Sequence, residues 1–191
     1  MIKNKQALLY NIKRLLSISL LILSNITFAQ KNNWQEFSRE KKTVVNIDTS
    51  GIYEVNNYKL IVIWDEKFSY SKNIGYYGGI KKITIYNNYE KIQTLEHLED
   101  KIALGTIRLS FYDYNFDGIL DFTVPINSKW LMYYIFNPKT NQFEHREDWD
   151  YLRIQKIDRK NKMILSQPDG NAFQDNRKKF KVEGVNITKV N

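Results

Sequence analysis

The chain has 191 residues, no cysteine and a formal charge of +8. Without thiols, it has no disulfide, no thiolate zinc site, no cysteine nucleophile and no lipid attached at a cysteine. The basicity is uneven: residues 1–29 carry Lys3, Lys5, Lys13 and Arg14 and no acid, so the remainder has 25 Lys and Arg against 21 Asp and Glu. That +4 is an ordinary solvated surface. No stretch has the dense basic clustering that phosphate tracking needs, so nucleic acid is not an expected partner. Arg177-Lys178-Lys179 is the densest run and reads as the exposed start of a strand.

Residues 1–29 have the three parts of an export signal. A basic opening is followed by the apolar run Leu15–Leu23, broken only by Ser17 and Ser19, and by the small-residue exit Thr27-Phe28-Ala29. Spanning a bilayer takes about 20 apolar residues, so this run is short for an anchor. Cleavage after Ala29 is the expectation, with an uncleaved anchor as the alternative. The mature chain would then be periplasmic or secreted, without stable membrane insertion. Residues 30–42 read as an ordered arm or short helix carrying Trp34 and Phe37, and residues 43–191 as one domain.

From there, short apolar runs alternate with turn residues, the pattern of an all-β domain. The five-residue apolar run Leu60–Trp64 predicts a strand buried on both faces. Gly75-Tyr76-Tyr77-Gly78-Gly79 predicts a loop, and Ile80–Tyr86 and Tyr89–Leu95 a hairpin around Asn87-Asn88. Glu96–Gly105 is compatible with a helical turn. Thr106–Tyr112 alternates, with Ile107, Leu109 and Phe111 on one side. Strands follow at Ile119–Ile126 and Trp130–Phe136, a turn at Asn137–Asn141, then further pairs to Val190. The expected fold is a single antiparallel, meander-like β-sheet domain.

The segment most suggestive of chemistry is Asp113-Tyr114-Asn115-Phe116-Asp117-Gly118-Ile119-Leu120-Asp121. Oxygen side chains stand at loop positions 1, 3, 5 and 9 and glycine at 6, as in the front part of an EF-hand calcium loop. Calcium takes six to eight oxygens at about 2.3–2.6 Å, which alternate residues of a tight loop can aim inward. Candidate ligands are Asp113, Asn115, Asp117, the Ile119 carbonyl and Asp121. Position 12, ordinarily a bidentate glutamate, is Val124, so any site would be structural and completed by water or a distant carboxylate. The alternative is a strand-to-strand turn rich in Asp and Asn for conformational reasons.

No G-x-S-x-G, H-E-x-x-H or phosphate-cradling loop is present. His97 and His145 lie on segments without a nucleophile motif. The pairs Glu99-Asp100 and Glu147-Asp148 read as solvated acids rather than a glycosidase pair. Tyr76 and Tyr77 in their glycine-rich loop, and Phe173 beside the Pro168-Asp169-Gly170-Asn171 turn, are the best candidates for exposed aromatic contacts.

Three segments in order carry a family resemblance. Phe111–Gly118 followed by Asp121-Phe122 resembles a D-x-N-F-D-G-x-x-D signature. Tyr133–Phe143 resembles a Y-x-F-N-P-x-T-x-x-F strand–turn–strand. Ile157-Asp158 through Lys162–Ser166, before a glycine-containing loop, resembles a third element. The family is that of bacterial periplasmic lysozyme inhibitors and immunity proteins against secreted peptidoglycan hydrolases. The resemblance implies a β-sheet domain with an EF-hand-like calcium loop, and a non-enzymatic role: blocking a wall-cleaving enzyme by inserting a loop into its cleft. By position, Gln167–Asn176 is the candidate loop, with Phe173 as probe and Asp169 and Gln174 beside it. Net charge gives no steering toward a basic lysozyme. A calcium-stabilised module that binds an envelope protein or glycan is the alternative.

Overall fold

The computed structural model describes residues 33–167 and 177–190. Residues 1–29, expected to be an export signal, and the candidate probe residues Asp169, Phe173 and Gln174 lie outside them. The described strands begin with β1 (Gln35–Glu36), β2 (Thr43–Ile47), β3 (Gly51–Val55), β4 (Tyr58–Asp65), β5 (Tyr70–Ser71) and β6 (Gly75–Tyr76). Next come β7 (Gly79–Asn87), β8 (Glu90–Glu99), β9 (Ile107–Tyr112), β10 (Asp121–Pro125) and β11 (Leu131–Asn137). The last are β12 (Gln142–His145), β13 (Ile154–Asp158), β14 (Met163–Ser166), β15 (Lys178–Glu183) and β16 (Asn186–Val190). The one helical piece among the described residues is a 3-10 turn at Phe37–Arg39. The all-β expectation therefore holds, and the strand pairings are antiparallel throughout.

The meander divides into three main sheets. An N-terminal sheet runs β3-β4-β7-β8, a central sheet β12-β11-β10-β9-β2, and a C-terminal sheet β1-β13-β14-β15-β16. A two-stranded ribbon, β5-β6, stands apart from them. The central sheet is the middle layer. Its residues Leu109, Phe111, Phe122, Val124, Tyr134 and Phe136 pack with Leu60, Val62, Ile83 and Ile85 of the N-terminal sheet. The alternate residues Tyr112, Tyr133 and Ile135 pack with Ile157, Ile164 and Val182 of the C-terminal sheet and with Trp149, which is fully buried.

This layering corrects one expectation. Strand β4 is not buried on both faces: Leu60, Val62 and Trp64 are buried, while Ile63 is 47% exposed. The N-terminal sheet is an outer layer with one packed face, and Ile61 and Ile63 fall on the other. The doubly buried strands are β10 and β11, where Phe122–Val124 and Met132–Phe136 are covered throughout.

The helical turn within Glu96–Gly105 does not form. Strand β8 continues to Glu99, and a turn follows at Lys101-Ile102. Asp100 is not a solvated acid either. It is 2% exposed, and its carboxylate accepts the N–H groups of Ile102 (3.1 Å), Leu104 (2.7 Å) and Gly105 (2.7 Å). The 30–42 arm is built into the fold where it is described: β1 pairs with β13, and Phe37 meets Tyr112 edge-on at 5.2 Å.

Candidate functional site: the Asp113–Asp121 loop

The loop joins β9 to β10 and holds its shape through its own acidic side chains. Asp113 Oδ1 accepts the Asp117 N–H (3.0 Å) and Oδ2 the Gly118 N–H (3.2 Å). Asn115 Oδ1 also accepts the Asp117 N–H (3.2 Å), and Asp117 Oδ1 accepts the Ile119 N–H (2.8 Å). The Asn115 amide donates to Asp117 Oδ2 at 2.9 Å. Such side-chain-to-backbone bonds are the reason Asp and Asn favour turns. Gly118 sits at φ +89, the left-handed region where a Cβ is strained, as the sequence position of that glycine predicts.

Asp113, Asn115 and Asp117 therefore converge on the interior of the loop, Asp113 and Asn115 sharing the Asp117 N–H. Asp121 does something else. It has no exposed surface, and its oxygens are taken up by backbone donors: Tyr114 N–H (2.8 Å) and Asn115 N–H (3.3 Å) to Oδ2, Phe136 N–H (2.8 Å) to Oδ1. It braces the loop against β11 from below. Burial pushes its carboxyl well above the ordinary carboxylate range, and the backbone donors oppose that push.

As a calcium loop, the fit is partial. The front half presents two carboxylates and an amide oxygen from positions 1, 3 and 5. No group of three His, Cys, Asp or Glu side chains gathers around a common centre among the described residues. Val124 at position 12 is a buried core residue. A hard cation would rely on Asp113, Asn115 and Asp117, with main-chain or water oxygens for the rest.

A cation of the protein's own stands beside the loop. Arg159, in the β13–β14 turn, places Nη1 3.6 Å from Asp113 Oδ2. Its Nη2 donates to Glu40 Oε2 (3.1 Å) and to the Tyr112 hydroxyl (2.7 Å), and that hydroxyl donates to Glu40 (2.8 Å). Burial and the Glu40 bond both drive the Tyr112 phenol far up from its ordinary value. Glu40 and Arg159 were not singled out from the sequence, because 119 residues separate them.

The other aromatic candidates are placed as follows. Tyr76 is 61% exposed on the β5-β6 ribbon, its ring 5.1 Å from that of Tyr70, with Ile74 also exposed at the tip. Tyr77 is only partly exposed, and Gly78 behind it sits where a Cβ would come within 2.6 Å of the Trp64 ring. His145 hydrogen-bonds to Asp150 Oδ2 at 2.8 Å, while Asp150 Oδ1 accepts the Tyr133 N–H (3.1 Å). No hydroxyl nucleophile is hydrogen-bonded to His145 among the described residues. His97 stacks on Phe68 at 5.7 Å and is exposed.

No family model matches the chain, and no match was found among curated proteins or solved structures.

Proposed function

We propose that this protein is exported, cleaved after Ala29, and acts in the periplasm or outside the cell as a non-enzymatic, immunity-type inhibitor of a peptidoglycan hydrolase or lysozyme-like enzyme. Inhibition is by insertion of a loop into the enzyme's active-site cleft. The observation that carries the proposal is that the three family-like segments meet in space. The Asp113–Asp121 loop is tied to the Tyr133–Phe143 hairpin by the Asp121 bond to Phe136, and to the Ile157–Ser166 hairpin by Arg159 beside Asp113. These contacts support reading the three segments as parts of one arrangement. The inserting loop is 167–176, with Phe173 as probe and Asp169 and Gln174 flanking it; Tyr76 and Tyr77 would form a second contact.

The test is a peptidoglycan hydrolysis assay with a panel of muramidases, glucosaminidases and amidases, with and without residues 30–191. Slowing of at least one enzyme is expected; unchanged rates across the panel would remove the proposal. Calcium is proposed as a structural ion of the Asp113–Asp117 half-loop. Chelation should then lower the melting temperature of the wild type, while an Asp117→Ala variant melts lower from the start and is indifferent to chelator. Identical wild-type melts with and without chelator would eliminate the ion but not the inhibitor.

A second reading, a calcium-stabilised envelope or glycan-binding module, is favoured by one feature. A concavity of about 420 Å³ at the turn end of the N-terminal sheet is lined by Tyr86, Tyr89, Asn56, Asn57 and Asn88. Aromatic faces beside amide groups suit a sugar ring. Retention on purified peptidoglycan, with no effect on any hydrolase, would select this reading.

A further inference from the structure

The C-terminal sheet covers only part of the central sheet. Tyr112 and Tyr133 on that face are buried under it, but Asn46 and Arg108, further along the same face, are exposed. The strand registers put Asn46 opposite Arg108 and Ser110 opposite Thr123. These four residues line a cleft of about 500 Å³ whose walls include Leu104 and Leu131. That volume is in the range of pockets that take a small ligand.

Two turns fix the walls in advance. The buried Asp100 carboxylate holds the turn that carries Leu104, through the three N–H bonds already described. Opposite it, Asn127 Oδ1 accepts the N–H groups of Lys129 (2.8 Å) and Trp130 (3.0 Å), just before Leu131. At the deep end, Thr123 is fully buried, its hydroxyl 3.3 Å from the Tyr114 hydroxyl.

The electrostatics are one-sided. None of the residues lining this cleft is acidic. Arg108 makes no hydrogen bond or ion pair with any described residue. Glu99 and Asp100 adjoin it on one side, but Asp100 is engaged by its own turn, and Glu99 makes no ion pair with Arg108. A planar guanidinium with free donors is matched by a carboxylate, which it can hold in a bidentate fork. The hydroxyls and amides of the floor suit a peptide unit, and Leu104, 68% exposed, suits a small apolar side chain.

We propose that this cleft binds a short peptide bearing a free carboxylate and small apolar side chains, with Arg108 as the carboxylate anchor. No residue of the Asp113–Asp121 loop lines the cleft, and the proposal does not depend on inhibition of a hydrolase.

The test is an NMR titration of residues 30–191 with acetyl-Ala-Ala, its C-terminal amide, and inorganic phosphate. The acid should shift the amide resonances of Thr106, Arg108 and Ser110 at millimolar concentration. The amide form and Arg108→Gln should each weaken binding about tenfold or more, the loss expected when a charge-assisted bond is removed. Leu104→Asp, at an exposed lip where folding is not at risk, should abolish it by supplying Arg108 with a carboxylate. The proposal is overturned if acid and amide bind alike, if both variants bind as the wild type does, if phosphate binds as well as the peptide, or if no cleft resonance moves by about 10 mM, where affinity is negligible. A hydrolase is absent from every arm, so the result leaves the inhibitor proposal to its own assay.

Discussion

Asp121, a candidate ligand by its position in the loop, is tied into the fold by backbone donors. Position 9 of a calcium-type loop suggests a ligand, and here the carboxylate accepts three backbone N–H groups at a position with no exposed surface. Leaving a buried donor unpaired costs about 1–3 kcal/mol. Asp121→Ala should therefore destabilise the protein by about 3 kcal/mol or more, measured by urea unfolding. Asp121→Asn keeps one accepting oxygen and should lose less. An Ala variant as stable as the wild type would mean that these bonds do not matter to the fold. Gly118 is the opposite case: its role followed from the sequence, since a tight turn at that position needs a left-handed φ whatever surrounds it.

At the scale of elements, most strands were legible because their alternation is local. Ile107, Leu109 and Phe111 face one core, as their spacing implies. What could not be read was which strands have two packed faces. The run Leu60–Trp64 looks the more apolar, whereas β10 carries Asp121 and Thr123 and looks amphipathic. Those polar groups are buried because each has a partner, which depends on contacts distant in sequence. Gln93 is a similar case. Its side-chain amide donates to the Phe143 carbonyl (2.9 Å) and accepts the Phe143 N–H (2.8 Å), so a side chain of the N-terminal sheet stands in for a strand partner at the β12 edge of the central sheet. Gln93→Leu should cost about 1–3 kcal/mol. It should also speed hydrogen exchange at Phe143 before it affects β9 or β10; uniform acceleration would argue against an edge-specific role. The Asp113–Asp117 half of the candidate site was legible, being contiguous. The Glu40–Tyr112–Arg159 cluster was not, since only the folded chain brings it together.

For the whole molecule, two packed interfaces in series place several tyrosines where a phenolate is unfavourable. Burial first, then neighbouring carboxylates, raises Tyr58 to about 12, and burial raises Tyr114 to about 12. Tyr133 is driven up in the same direction, also by burial. The folded state holds these protons more tightly than the unfolded chain, whose tyrosines release them near 10. Their stabilisation is therefore complete below pH about 10 and is lost as the pH rises toward about 12. Melting temperature should fall steeply in that window, and the buried phenols should ionise together with unfolding, as read by ultraviolet absorbance. Titration of every tyrosine near its ordinary value without unfolding would contradict the layered core. Among the described residues no helix is long and apolar enough to cross a membrane. The central claim, inhibition by a plugged active site, is tested most directly by titrating residues 30–191 into a fixed concentration of a susceptible peptidoglycan hydrolase and following wall clearing. Plugging predicts a linear loss of activity that ends at one inhibitor per enzyme and weakens when soluble glycan fragments occupy the cleft. Undiminished clearing by all the enzymes of the panel at large molar excess would contradict it.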